Sequence, residues 1–303
     1  MAVPASARLT VADSAHVERT RRRAATRRRS ARVALYLLAV GAALVAALPF
    51  IWGTITAFKR DADLYNSENN PFVFNLDPTG EHVSFLFDQT PFVTFAANTL
   101  WVGLLVVAVT LVVGLPAAYS LARLNMPWSG ALGIAIFLVY LVPPTLLFIS
   151  LTRVVAILDL QDSTWSLVLI YPTITIPVSV WLLMGFLKAV PRDLEEQAMV
   201  DGYSRLGAFT RIVVPLALPG IVAVVVFAFT LTAQEFIYAL AFISPSDAKT
   251  ISIGVPTELI RGALFFWQSL QAAAILVAVP IAFVFNLLLE RFITGFTMGA
   301  VKG

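Results

Sequence analysis

The chain has 303 residues, of which 59% are hydrophobic and 13% charged, with a formal net charge of +3. Soluble domains run at roughly 45–50% apolar and about 25% charged, so this composition excludes a soluble globular protein and describes an integral membrane protein. With no cysteine, and with two histidines far apart (His16 and His82), it also excludes a disulfide framework, a thiolate nucleophile and a histidine metal cluster.

Residues 1–32 form a basic tail. Arg8, Arg19, Arg21 to Arg23, Arg27 to Arg29 and Arg32 stand against only Asp13 and Glu18. Few apolar residues interrupt this segment, which predicts disorder ahead of the membrane. Three readings are open for it: nucleic-acid binding, attraction to anionic lipid, and fixing of orientation. Beside a membrane span, orientation with weak attraction to membrane lipid is favoured, and no nucleic-acid partner is expected. The apolar run that follows is too long for a signal-peptide core, so no cleavage is expected.

Six apolar runs of spanning length follow, at roughly 33–58, 92–122, 130–152, 165–187, 213–243 and 264–289, each near or above the ~20 residues a crossing helix needs. The expected fold is all-α, with six transmembrane helices. Pro49, Pro116, Pro143, Pro144, Pro172, Pro177 and Pro280 lie inside the runs and predict kinks, which membrane helices tolerate. Between the first two runs, residues 59–91 make a polar, acidic loop with Asp61, Asp63, Glu68, Asp77, Glu81 and Asp88. Asn69-Asn70-Pro71 and Asp77-Pro78-Thr79-Gly80 predict turns. Phe72, Val73 and Phe74 suit a short packed strand or an interfacial patch. A Ca²⁺ site lacks EF-type spacing, so a solvated loop is the expectation.

Orientation follows from counting Lys and Arg. With the N-terminus cytosolic, the nine tail arginines, Arg123, Lys188, Arg192, Arg205, Arg211, Arg291 and Lys302 lie inside, against Lys59, Arg60, Arg153, Lys249 and Arg261 outside. The positive-inside rule favours this arrangement, mostly through the tail, and puts both termini and residues 191–215 in the cytosol.

Residues 191–215, PRDLEEQAMVDGYSRLGAFTRIVVP, are the longest polar interruption of the C-terminal half. Pro191 suits a helix start. Asp193 and Glu196 have capping-box spacing. Leu194, Ala198 and Met199 make a narrow apolar face, Gly202 suits a helix stop with a sharp turn, and Leu206, Phe209 and Ile212 repeat an apolar face in a second short piece. Two readings of the residues alone stay open: an ordinary helical loop, or a stiff knob that meets something outside the membrane.

Glu196-Gln197-Ala198, then Gly202, then nine residues before Ile212-x-Val214-Pro215 resembles the EAA loop of ABC importer permeases. Gln197 and Val214 depart from that pattern while the spacing is intact. The longer string EEQAMVDG with PLALPG resembles the sugar-permease branch. Asn98-Thr99-Leu100 and Ala117 to Arg123 are similar to the opening of that family's core, and Gly299 to Gly303 to the tail of the smaller permease of maltose-type importers. The resemblance covers about Phe92 to Gly303, with scattered support at Pro49, Trp52 and Lys59.

It implies the type I importer permease fold: tail 1–32, first helix 33–58, external loop 59–91 and permease core 92–303 carrying the coupling loop 191–215. It implies half of a translocation pore for a sugar or oligosaccharide, with a polyamine, amino-acid or phosphate permease as the alternative. The implied partners are a second homologous permease, two cytosolic ATPase subunits and an extracytoplasmic solute-binding protein. The loop would dock on the ATPase through Glu195, Glu196, Gln197, Ala198, Asp201 and Gly202, with Leu206 and Phe209 as apolar support. Low lysine with high arginine and alanine suits a GC-rich bacterium, and so a bacterial cell membrane.

Glu235 is the only acidic residue well inside an apolar run. Burying an unpaired carboxylate in hydrocarbon is costly, so it is expected in a protein interior, in a wet cavity or near the outer end of its span. The family often has Trp-Asn-Glu-Phe where this chain has Ala233-Gln234-Glu235-Phe236. Gln234, Glu235, Tyr238 and Tyr171 are the candidate pathway residues, though aromatics in spans more often pack or sit at interfaces. No phosphate-binding Gly-x-x-x-x-Gly-Lys-Ser/Thr loop occurs, so ATP and Mg²⁺ are expected in a partner, with no cofactor or catalytic residue in this chain. An ion-coupled secondary carrier with Glu235 as its coupling charge, or a membrane enzyme, are the readings from other classes.

Overall fold

The computed structural model describes residues 11–300 apart from Asn125 and Ala263, with side chains described from Arg29 to Leu287, Pro144 excepted. Arg291, Lys302 and the 299–303 pattern therefore lie outside the described side chains. Helix α1 spans Val11–Ala57 and runs without a break through residues 11–32, where composition predicts disorder. The segment is rich in alanine and arginine, both good helix formers, and a helix already nucleated in the membrane propagates into it.

Two short helices follow, α2 (Asp61–Leu64) and α3 (Glu81–Gln89), and then the long α4 (Phe92–Arg123). Next come α5 (Ser129–Tyr140), α6 (Pro144–Ile157), α7 (Thr164–Ile170) and α8 (Pro172–Ala189). The interruption 191–217 carries α9 (Arg192–Val200), α10 (Arg205–Ala208), a π turn (Phe209–Val213) and α11 (Val214–Leu216). Beyond it lie α12 (Leu218–Ala233), α13 (Ile237–Phe242), α14 (Ile251–Leu259), the two-residue antiparallel strands β1 (Ile260–Arg261) and β2 (Leu264–Phe265), and α15 (Trp267–Ala300).

The six apolar runs become four helices long and apolar enough to cross a membrane and two bent pairs. The straight ones are Arg29–Ala57, Phe92–Arg123, Thr164–Ala189 and Trp267–Leu287. The third run bends by 89° between α5 and α6, at Pro143 and Pro144. The fifth is the one sequence periodicity simplifies most. Residues 213–243 do not form one helix: the chain turns by 75° before Leu218, crosses as α12, and breaks again at Gln234–Phe236. Pro49, Pro116, Pro177 and Pro280 sit inside unbroken helices.

Helix α4 is the axis of the packing. It lies along α8 and α12, while α1 packs against α15. Val102, Val106, Leu167, Tyr171 and Tyr238 form a buried cluster toward one end of α4; Ala118, Leu121, Leu183, Leu187, Phe209 and Val213 form another toward the other end. Between them the hydroxyls of Thr110 and Thr175 bond at 2.6 Å, satisfying two buried polar groups across the α4–α8 seam. Close approach of α12 to α8 depends on Gly220, where a Cβ would lie 2.3 Å from Cγ of Phe186. By contrast residues 29–52 of α1 are largely exposed, Leu38 and Val45 being over 70% exposed, as suits a helix facing lipid, while Gly53, Thr56 and Ala57 near its end are buried.

The loop 59–91 is more ordered than its composition suggests. Lys59 and Asp63 are each 1% exposed and paired at 3.3 Å. The Asp63 carboxylate also accepts hydrogen bonds from the side chains of Asn69 (3.0 Å) and Asn75 (2.8 Å) and from the backbone N–H of Asn75 (3.0 Å) and Leu76 (3.3 Å). Lys59 Nζ donates in turn to the Asn70 carbonyl at 2.9 Å. One buried carboxylate thus gathers a segment that its asparagines mark in sequence only as turns. Phe72, Val73 and Phe74 form no strand; they are exposed at the tip of this segment.

Burial by itself raises the Asp63 pKa, but the bonds from Asn75, Leu76 and Lys59 outweigh it and hold the pKa at about 2. A depressed pKa contributes stability that is full above the ordinary carboxylate range and is lost as pH falls toward 2. Residues 60–77 are therefore expected to become protease-sensitive between pH 4 and pH 2. Asp63→Asn is expected to open the same segment at neutral pH, because it leaves the Lys59 charge buried without its partner. Limited proteolysis of the detergent-solubilised protein at stepped pH checks both.

Candidate functional site

Two places hold the candidate residues. The first is the interruption after α8. Pro191, with φ −59° and ψ 132°, is the N-cap of α9 and supplies no side-chain cap. Asp193 is already inside the helix, so the expected capping box with Glu196 does not form; Asp193 and Glu195 still lie in the first turn, at the positive end of the helix dipole. The other end stops as the sequence suggests. Gly202 takes φ +94°, the Gly202 N–H bonds the Met199 carbonyl (3.2 Å), and the Tyr203 N–H reaches back to the Ala198 carbonyl (3.0 Å). This is a Schellman stop, and it fixes the angle at which the chain leaves α9. Ser204 then caps α10 by accepting from the Gly207 N–H at 3.2 Å.

The candidate coupling residues divide between two faces. Glu196, Gln197 and Asp201 are exposed and, with Asp193 and Val200, line an open groove of about 520 Å³. Gly202 is exposed, and Leu206 stands 69% exposed beyond it. Glu195, Ala198 and Phe209 point the other way and are 6%, 6% and 7% exposed. Ala198 thus permits close packing on the chain's own helices. Leu206 and Phe209 do not share a face: Leu206 is exposed, and Phe209, where α10 passes into the π turn, is buried. Phe209 packs on the Tyr119 ring, with centroids 4.3 Å apart.

Glu195 accepts a hydrogen bond from the Tyr119 hydroxyl, and its other oxygen lies 3.7 Å from Arg123 Nε. Arg123 Nη2 donates to the Val190 carbonyl at 2.7 Å, just ahead of α9, and Arg192 Nη2 donates to the Ala122 carbonyl at 3.3 Å. Tyr119 and Arg123 are absent from the sequence-based candidates. Their i, i+4 spacing at the end of α4 puts both on one helix face, which was the available signal.

The second place is the break between α12 and α13. Here Glu235 is neither a free acid in hydrocarbon nor at a simple helix end. Its two carboxylate oxygens accept from the backbone N–H groups of Tyr238 (3.0 Å) and Ala239 (3.1 Å), the unpaired donors at the start of α13. The Glu235 carbonyl accepts from the Ser252 hydroxyl at 2.6 Å, which ties the break to α14. Gln234 is exposed and lies on two cavities. One, of about 640 Å³, is shared with Tyr140, Thr173, Glu235 and Tyr238; the other, of about 450 Å³, is lined by α14 and α15 residues. Tyr171 does not reach either cavity. It is 1% exposed in the apolar cluster, and Tyr238 is fully buried and stacks on Phe242 with centroids 5.9 Å apart. Neither ring has a face open for a sugar. Among the described residues no group of three or more His, Asp or Glu stands close enough to hold a metal ion.

Gly202→Ala is expected to cost about 1–2 kcal/mol, because a Cβ is strained at this φ although open space surrounds it. Glu235→Ala is expected to cost about 1–2 kcal/mol through loss of both acceptors, and Glu235→Gln less, since its amide oxygen keeps one. Melting temperatures of the purified variants check both rankings.

Comparison with known proteins agrees with this architecture. Residues 110–297 match the family described as binding-protein-dependent transport system inner membrane component. The sulfoquinovosyl glycerol transport system permease protein SmoH of Agrobacterium fabrum is 34% identical over 84% of this chain and 88% of its own. The diacetylchitobiose uptake system permease protein DasC of Streptomyces coelicolor is 31% identical over 84% and 91%. The trehalose/maltose transport system permease protein MalG of Thermococcus litoralis is 29% identical over 90% and 97%. A chain from the crystal structure of a bacterial ABC transporter involved in alginate import has the same fold, with a TM-score of 0.73 at 16% identity, covering 88% of this chain and 98% of that one. Family and fold together make the chain a multi-pass membrane component and not the ATPase. It belongs to the binding-protein-dependent transport system inner membrane components, as a permease subunit of an ABC transporter.

Proposed function

We propose that this permease imports a sugar or oligosaccharide, forming half of the translocation pore beside a second, homologous permease. Two ATPase subunits bind its cytosolic face, and a solute-binding protein docks outside. The relatives support the sugar class, since the names of SmoH, DasC and MalG each specify a glycoside or oligosaccharide. A structure with the same fold is described in complex with an alginate-bound periplasmic protein, which supports the outer partner.

The observation that carries the coupling role is the rigid elbow at Gly202. It presents Glu196, Gln197, Val200, Asp201 and Leu206 on an outward face that none of the described residues covers. Val200 at 86% exposed and Leu206 at 69% are poor solvent-facing residues beside a groove lined by carboxylates. Such a face fits a cleft that has apolar floor and basic rim. Both termini and this face lie in the cytosol, and loop 59–91 lies outside, as the Lys and Arg distribution favours. ATP-driven closure of the ATPases moves the coupling loops, and alternating access follows as a rigid-body change of the spans.

Purification of the tagged chain in mild detergent is expected to bring down a second permease and an ATPase. Gly202→Trp is expected to lose the ATPase while keeping the second permease. Membrane vesicles carrying the complex and its binding protein are expected to take up at least one of labelled maltose, trehalose or diacetylchitobiose in an ATP-dependent manner. Purification of the wild type alone refutes the coupling role. Uptake of an amino acid, polyamine or phosphate in place of all three sugars refutes the substrate class.

A further inference from the structure

Glu195 was grouped by sequence with the partner-facing residues, yet its carboxylate is turned into the protein. We propose that Glu195, held between Tyr119 and Arg123, is a positioning residue that carries movement of α9 into α4. This rests on the coupling role proposed for the 191–215 loop and deepens it: α9 has one face for the ATPase and a different, internal face for transmission.

Three features of the geometry lead there. First, the contact is buried on both sides, with Glu195 and Arg123 each 6% exposed and Tyr119 8% exposed. A buried ion pair adds little net stability over apolar packing, so its more natural use is to fix which groups meet. Second, the polar links between the α9 region and α4 converge on a single turn. The Glu195 carboxylate, the Val190 carbonyl and the Arg192 side chain all engage Tyr119, Ala122 or Arg123, and Phe209 closes the Tyr119 ring from the other side. A push on α9 therefore reaches α4 at residues 119–123 before any other part of that helix. Third, the set is one bond short. Arg123 Nε has no hydrogen-bond partner, and at 3.7 Å from Glu195 it is too far to make one. Bringing Arg123 Nε about 0.8 Å nearer the second Glu195 oxygen would close a charge-assisted bond of about 2.9 Å. The opposite shift would pull the carboxylate off Tyr119.

The chain has no cysteine, so Leu231→Cys gives it a single thiol on the 640 Å³ cavity, read on the permease's own gel band. In the complex purified with its ATPase, maleimide labelling of this cysteine is measured without nucleotide and with ATP plus vanadate. With an otherwise wild-type chain the two rates are expected to differ by about tenfold, an ordinary size for coupling between sites. In Tyr119→Phe and Glu195→Gln the two rates are expected to converge, while the ATPase still co-purifies. The double variant is expected to behave like either single one, because both act through one contact. Tyr119→Phe removes a single oxygen, so its melting temperature separates lost transmission from lost folding. Persistence of the tenfold difference in both variants overturns the proposal. So does loss of the ATPase from Glu195→Gln but not from Tyr119→Phe, which would make Glu195 a partner contact after all. A wild-type chain that brings down no ATPase overturns the underlying coupling role, and is distinguished by appearing before any variant is compared.

Discussion

A helix that stops inside or beside an apolar layer frees backbone donors and acceptors that no water is at hand to satisfy, and each such stop has to be answered by a side chain or a turn. This constraint shapes most of what is distinctive in the chain. The fifth apolar run breaks at Gln234–Phe236, and the cost of the break is met by Glu235, whose two oxygens take the N–H groups of Tyr238 and Ala239. The loop after α6 turns back through Asp159 and Asp162, both at positive φ, and Asp162 accepts from the Ser244 N–H at 2.7 Å beyond the end of α13. The stop at Gly202 satisfies its carbonyls within its own turn. Residues Gln234 to Tyr238 of this break line the cavity beside α12.

The same physics separates the two acidic neighbours Glu195 and Glu196. They are adjacent in sequence, but a helix turns by about 100° per residue, so one faces the last turn of α4 and the other faces out. Inward, a carboxylate is acceptable only with partners, and Tyr119 and Arg123 supply them. Outward, it needs none. The inner face of α9 is thereby joined to one span, and its outer face is left uncovered by the described residues.

Much of this architecture was legible from sequence, and the exceptions have physical causes. Apolar runs located the spans because lipid demands about twenty apolar residues whatever the fold. Gly202 was legible because few residues besides glycine accept its φ. The breaks within the fifth run were not, since α12 and α13 are both apolar and composition is blind to a turn between them. Asp63 was read as one more acid in a solvated loop, because nothing local signals that Asn69, Asn75 and Lys59 will converge on it. Tyr171 and Tyr238 were placed near a pathway on chemistry alone. Their burial follows from how α13 packs on α6 and α7 and how the α7–α8 junction meets that cluster, which a single sequence does not specify. Helical periodicity put Leu206 and Phe209 together, but α10 is a single turn and only Phe209 packs, on the Tyr119 ring.

The buried Lys59–Asp63 pair has a consequence for encounters at that end of the molecule. Free loops lose conformational freedom when they are bound, and that loss is subtracted from whatever contacts they make. Here the freedom of residues 60–77 has already been given up in folding, around a single carboxylate. A protein arriving there meets Phe72, Val73 and Phe74 already displayed on a fixed frame. For any contact made there, the ordering of this loop would not be subtracted from the affinity.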